Sequence, residues 1–197
     1  MIDPTRIVIT GCCGSGKSHL ATRLKNRLEI PVLFLDQIIF ERIPNADPKN
    51  PKSNVRERDR EEAKRILQEF LPGDRWIIEG VYGKFIEEAL LRATFFIWID
   101  RPEKECLESV RTRNREMLEK YGRALNQEQM DKMTKRVWNY RTRNDHIGYA
   151  YHQSLYENFG AGKRKVCSFF EADRILTEIE PKALDCPNAQ KQPEIGA

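Results

Sequence analysis

The sequence predicts an α/β fold in which helices cover both faces of a five-stranded parallel sheet. Three observations lead there. Short apolar runs alternate with stretches of helical periodicity along the whole chain. The runs are continuously apolar, as expected of strands covered on both sides. A glycine-rich turn joins the first run to the first helical stretch. The 197 residues suit one such domain, or one domain with an elaboration.

Arg6-Ile-Val-Ile-Thr10 reads as the first strand. Leu20, Ala21, Leu24 and Leu28 then recur at helical spacing and predict a helix over Lys17 to Leu28. Pro31-Val-Leu-Phe-Leu35 is the second strand. From Ile43 to Ser53, Pro, Asn, Asp and Lys mark a loop. Ala63, Ile66, Leu67 and Phe70 give Arg56 to Leu71 a helical pattern, which Pro72-Gly73-Asp74 stops. Arg75-Trp-Ile-Ile-Glu79 is the third strand, Lys84 to Arg92 a short helix, and Thr94-Phe-Phe-Ile-Trp-Ile99 the fourth strand. Pro102 opens the next helix at a position proline favours, with Cys106, Leu107 and Val110 as its apolar stripe. Beyond Tyr121-Gly122 the chain turns polar and basic, then helical again to about Phe159, where Gly160 and Gly162 break it. Lys165-Val-Cys-Ser-Phe169 is the fifth strand and Glu171 to Ile179 the last helix. Residues 1–180 thus form the domain, and Pro181 to Ala197 lacks periodicity and reads as a mobile tail.

Composition removes several classes. No apolar run approaches the roughly 20 residues of a membrane span. No basic stretch followed by an apolar segment opens the chain, so no secretory signal is expected. The five cysteines (Cys12, Cys13, Cys106, Cys167, Cys186) are odd in number and lack CxxC spacing. That argues against a disulfide framework and a zinc site, and for reduced thiols in a cytoplasmic protein. The net charge is +4, and Arg101 to Asp145 alone carries twelve Lys/Arg against eight Asp/Glu, the whole surplus. Such a segment can serve the phosphates of a small substrate or of nucleic acid, or simply keep helix faces in solvent. His19, His146 and His152 show no ligand spacing.

The sharpest signal is Gly11-Cys-Cys-Gly-Ser-Gly16-Lys17-Ser18, a complete G-x-x-x-x-G-K-[ST] phosphate loop between a strand and a helix. Gly11, Gly14 and Gly16 let the backbone turn its N–H groups, that of Ser15 among them, toward phosphate oxygens. The helix N-terminus adds partial positive charge. Lys17 supplies a full charge to the β- and γ-phosphates of ATP, and Ser18 a hard oxygen for Mg²⁺. Cys12 and Cys13 lie inside the loop, where a helix N-terminus and a lysine can lower a thiol's pKa. They are either a redox-sensitive site or loop spacers.

Ligands on open parallel sheets sit beyond the carboxyl ends of the strands. That edge carries Gly11 to Ser18, Asp36, Glu79-Gly80, Asp100 and Ser168. Asp36 could orient an acceptor hydroxyl or take its proton, or be a turn residue. Glu79 and Asp100 are alternative Mg²⁺ acids, and Asp100 could instead cap the helix at Pro102. Arg111, Arg113 and Arg115 form a cluster in which Arg111 and Arg115 share one helix face. Arg141 and Arg143 follow Trp138 and Tyr140 in a second cluster. Phosphoryl transfer needs cations over the migrating group, and arginines on a mobile lid can supply them.

With the phosphate loop, Leu35-Asp36, Trp76-Ile-Ile-Glu-Gly-Val-Tyr82, Phe96-Ile-Trp-Ile-Asp-Arg-Pro102 and Val137-Trp-Asn-Tyr-Arg141, the chain resembles the adenylate-kinase-like small P-loop kinases. Within these it is most similar to bacterial kinases often labelled DNA topology modulation proteins. The resemblance covers about residues 6–180. It implies a three-layer P-loop NTPase fold, use of ATP and Mg²⁺, a substrate-binding segment at about 37–72 and a helical basic lid at about 111–130. By position Arg111 and Arg115 match lid arginines, Glu79-Gly80 stands where the family has Asp-Gly, and Ser168 to Ala172 would lie near the adenine. The sequence thus leads to an ATP-dependent kinase acting on a nucleotide or a small hydroxyl compound. The alternatives are a nucleotide-dependent regulator that binds nucleic acid, for which no DNA-binding helix pair stands out, and a P-loop protein that binds ATP without an acceptor.

Overall fold

A computed structural model describes residues 5–43, 55–122 and 124–179. The expected tail at 181–197 and most of the loop between Ile43 and Ser53 lie outside these residues.

Strand β1 (Arg6–Gly11) leads through the glycine-rich loop into helix α1 (Lys17–Leu28), at the bounds the periodicity predicts to within one residue. Strand β2 (Val32–Phe34) is shorter than expected, because helix α2 (Leu35–Ile39) begins where the apolar run continues. A two-stranded antiparallel ribbon follows, β3 (Phe40–Arg42) against β4 (Val55–Glu57). The helix expected from Arg56 would have begun inside the second of these. Helix α3 (Arg60–Phe70) starts only after Asp59, whose carboxylate accepts the Glu61 and Glu62 amides at 3.0 and 3.1 Å. That cap satisfies free first-turn donors and fixes the boundary.

Strand β5 (Trp76–Glu79), helix α4 (Gly83–Leu90) and strand β6 (Phe95–Ile99) match expectation to within two residues. Helix α5 (Glu103–Tyr121) ends at Gly122, which is left-handed at φ 62. The single helical stretch expected up to Phe159 is two helices, α6 (Gln127–Trp138) and α7 (Tyr149–Asn158). Asn126 and Gln129 form a capping box at the start of α6. Strand β7 (Gly162–Val166) lies three residues earlier than the apolar run suggested, and α8 (Phe169–Glu178) closes the described chain. β7 is polar because it is an edge strand with β6 as its one neighbour in the sheet. Its Lys163 donates to the carbonyls of Tyr156, Glu157 and Phe159 at the end of α7.

All five strands of the main sheet are parallel, in the order β2-β5-β1-β6-β7. Alternate residues of β1 feed two cores. Ile7 and Ile9 pack with Leu20, Leu24, Ile175 and Leu176 of α1 and α8. Val8 packs on the opposite face with Leu67, Ile86 and Phe96 beneath α3 and α4. This is the expected three-layer α/β architecture. A third apolar cluster ties Cys12 to Cys106 and Val110 of α5 and to Val137 and Tyr140 from α6 and its end. It anchors the α5–α6 pair over the carboxyl ends of the strands. No helix among the described residues is long and apolar enough to cross a membrane.

Candidate functional site

The phosphate loop wraps the N-terminus of α1. Gly14 (φ 75) and Gly16 (φ 101) adopt left-handed backbone that other residues resist. A Cβ on Gly14 would lie 2.2 Å from the Cys106 carbonyl oxygen, so the loop also needs glycine there to pack on α5. Gly16 precedes α1 without a side-chain cap, and no acidic residue occupies the first turn. The amides at that end are therefore left to an anion. Lys17 is nearly buried and donates to the Cys12 carbonyl at 2.8 Å, while the buried Ser15 hydroxyl has no partner among the described residues.

The strand-end acids behave differently from one another. Ser18 donates to Glu79 Oε1 at 2.9 Å, joining the loop to the end of β5. Glu79 is 3% exposed, and desolvation raises its pKa against the opposing influence of Lys17 and the Ser18 hydrogen bond. Asp36 lies two residues past β2, in the first turn of α2, and accepts the Tyr82 hydroxyl at 2.8 Å. Burial and then the Asp36 charge push the Tyr82 phenol well above its ordinary range, so it stays a donor. Asp100 is neither the cap of α5 nor a neighbour of Ser18. Its carboxylate is held by Arg141 at 2.7 Å and Lys165 at 2.8 Å, which ties β6 to α7's approach and to β7. Of the two candidate acids, Glu79 is the one brought to the phosphate loop.

One continuous cleft of about 1630 Å³ connects these groups. It reaches the phosphate loop, Asp36, Glu79 and Tyr82, and the sides of α5 and α6. Arg111 and Arg115, expected as lid arginines, do not line it. The face of α5 turned to the cleft carries Ser109, Thr112, Arg113 and Glu116. At about 100° per residue, positions 111 and 115 do share a face, but it is the one turned away. Among the described residues, the arginines that line the cleft are Arg23, Arg101, Arg113, Arg136 and Arg143. The basic wall therefore extends beyond the expected lid limits of 111–130. Arg101 stacks 3.6 Å over the Phe169 ring and pairs with Glu105 at 3.0 Å. Phe169 approaches Gly16, which places the Ser168–Ala172 segment against the phosphate loop.

Cys12 is 2% exposed. Its hydrogen bond to Cys106, with burial, pushes its thiol well up, and Cys106 shifts down on receiving the bond. The lowering of Cys12 that a helix end and Lys17 suggested is thus outweighed.

Behind Gly80 and Val81 lies a polar network that periodicity could not reveal. His152 is fully buried, and burial pushes its pKa down to about 4. The Val81 carbonyl, 2.9 Å from Nε2, can only accept, so Nε2 carries the proton. Nδ1 then accepts the Tyr140 hydroxyl at 2.9 Å, and Tyr140 in turn accepts Trp98 Nε1–H at 3.3 Å. Thr10 completes the set by donating to the Gly80 carbonyl at 2.9 Å. The network fixes Gly80 and Val81, next to Glu79 and Tyr82. In the unfolded chain the imidazole titrates near its ordinary 6.5. The unfolded state alone therefore gains a proton between about pH 6.5 and 4, and stability falls as pH drops through that window. The expected loss is roughly 3 kcal/mol in total. Urea unfolding across the window should show it in the wild type and not in His152→Gln; equal slopes would contradict the assignment.

Structural comparison agrees with this architecture. A shikimate kinase from Acinetobacter baumannii, in complex with shikimate, aligns over 90% of this chain and 91% of that chain at 14% identity, with a TM-score of 0.51. At that identity the match shows a shared fold. A gluconokinase from Sinorhizobium meliloti 1021 aligns over 89% of this chain and 93% of that chain at 13% identity, with a TM-score of 0.46. No curated protein matches the chain. The family model described as "AAA domain" matches residues 7–134, which is more than half of the chain and includes the phosphate loop, Asp36 and Glu79, and the chain belongs to that family.

Proposed function

We propose that the chain is an ATP-dependent phosphotransferase that moves the γ-phosphoryl group to a nucleotide or a small hydroxyl-bearing metabolite. The observation that carries this reading is the single cleft. At about 1630 Å³ it exceeds the roughly 300–1,000 Å³ of a site for one small ligand. The phosphate loop lines it together with Asp36 and Tyr82, so a nucleotide and an acceptor can occupy it together.

The loop amides and Lys17 would hold the β- and γ-phosphates. Lys17 exchanges the Cys12 carbonyl for phosphate oxygen, a stronger, charge-assisted partner. Ser18 and Glu79 present adjacent hard oxygens at the loop and would hold Mg²⁺, which supplies charge neutralisation between the phosphates. Asp36, fixed by Tyr82, would accept the proton of the acceptor hydroxyl as its oxygen attacks the γ-phosphorus and the bond to the bridging oxygen of ADP breaks. Residues 37–72 contribute Phe40, Val55 and Glu57 to the cleft and would form the acceptor segment.

Glu79 offers a test with two readouts. A buried acid with a raised pKa costs stability once pH has risen through its folded-state value, and none below the unfolded one. At neutral pH, Glu79→Gln should therefore raise the thermal midpoint of the ligand-free protein, by about 2–4 °C for each kcal/mol recovered. The same variant should lose about 100-fold or more in Mg²⁺-dependent transfer. Unchanged ADP release at limiting Mg²⁺ would remove Glu79 from the site.

A further inference from the structure

The cleft that holds Asp36 also carries basic residues of a particular kind. Arg113 comes from α5, Arg136 from the last turn of α6 and Arg143 from the connection to α7. Arg113 and Arg136 have neither a hydrogen bond nor an ion pair among the described residues. Arg143 pairs with Asp145, yet its buried Nε has no partner among the described residues. Asp36, Tyr82, Phe40 and Val55 line the same cleft. The charge of Arg113 is felt at Glu79 and that of Arg136 at Tyr82, so both arginines lie near the acceptor end.

Guanidinium groups that line one cavity repel each other, and the effect grows where walls exclude water. A planar oxyanion between them relieves the repulsion and takes paired N–H bonds. The carboxylates in the same cleft do not fill that role, because none lies within ion-pair distance of Arg113 or Arg136 among the described residues. Asp36 also constrains the reacting atom. A phosphate oxygen beside a carboxylate would be repelled, whereas a hydroxyl can donate to it.

Resting on the phosphotransferase reading, we propose that the acceptor is an anionic hydroxy compound: its carboxylate or phosphate monoester is held by Arg113, Arg136 and Arg143, and its hydroxyl lies at Asp36. The two sources of the anion share this chemistry and differ in substrate class.

The test compares compounds matched except for the anion. A six-carbon aldonate and an alditol monophosphate are each set against the neutral alditol. ADP release is read with Mg²⁺·ATP, and binding by calorimetry with Mg²⁺·ADP present. One anionic compound should bind and turn over at least about tenfold better than the neutral one, and which one it is names the source. Arg136→Gln should raise KM or Kd for that compound roughly 10- to 100-fold, with little effect on the neutral one. Arg136→Lys should recover part of the loss. Equal handling of anionic and neutral compounds, or a KM and Kd unmoved by Arg136→Gln, would overturn the inference and leave the phosphotransferase reading standing. Conversion of a nucleoside monophosphate to its diphosphate would do the same, because the acceptor atom would then be a phosphate oxygen. Absence of ATP binding would overturn both.

Discussion

Lys17→Ala should abolish phosphoryl transfer, by about 10³-fold or more, and leave the fold intact. The two halves of this expectation have separate origins. Lys17 is the one cation within the loop sequence itself, and its ammonium, at the start of α1, carries a charge that no neighbouring amide can replace. Among the described residues it makes one hydrogen bond, to the Cys12 carbonyl. Losing it costs about 1 kcal/mol, and alanine, the best helix former, returns part of that in the first turn of α1. Circular dichroism and thermal unfolding should therefore change little while ADP release disappears. Turnover at the wild-type rate would remove the phosphate loop from the reaction.

Asp36→Asn should lower kcat by roughly 10²- to 10⁴-fold, the range for loss of a general base. The amide oxygen of asparagine can still accept the Tyr82 hydroxyl, so the geometry around α2 should persist. ATP binding, measured separately, should be unaffected, because the proposed role of Asp36 is toward the acceptor hydroxyl and not toward ATP. Tyr82→Phe should cost less, since it leaves the carboxylate in place and removes only the bond that orients it. If Asp36→Asn instead weakened ATP binding and left kcat unchanged, Asp36 would be a nucleotide contact rather than a base.

What the sequence revealed follows from how local each determinant is. The phosphate loop and α1 were legible to the residue because glycine conformation, strand and helix all lie within a short stretch of chain. The central strands β1, β5 and β6 were legible because their runs are buried on both faces. Val55–Glu57 was not, since all three residues are exposed in the ribbon and carry no apolar pattern. β7 was displaced because an edge strand can be polar, and Gly162-Lys-Arg-Lys-Val166 is. The arginines show the sharpest limit. Spacing establishes that Arg111 and Arg115 share a face, but which face meets the cleft depends on how α5 packs through Cys106 and Val110 on Cys12. That long-range contact turns Arg113 inward. The choice between Glu79 and Asp100 was likewise open in the sequence, because the Ser18 hydrogen bond to Glu79 and the pairing of Asp100 with Arg141 and Lys165 are both long-range contacts. Nothing local could have announced His152, a histidine in a helix whose partners come from β1, the end of α6 and the turn after β5.

The most direct test follows the label of [γ-³²P]ATP with Mg²⁺ and a panel of hydroxy acids, polyol phosphates, neutral polyols, nucleosides and nucleoside monophosphates, with the products separated. Transfer of the label from ATP to one of these small molecules, lost in both Lys17→Ala and Asp36→Asn, is the expected result. Label that remains in ATP or appears only as inorganic phosphate with every acceptor would contradict a phosphotransferase.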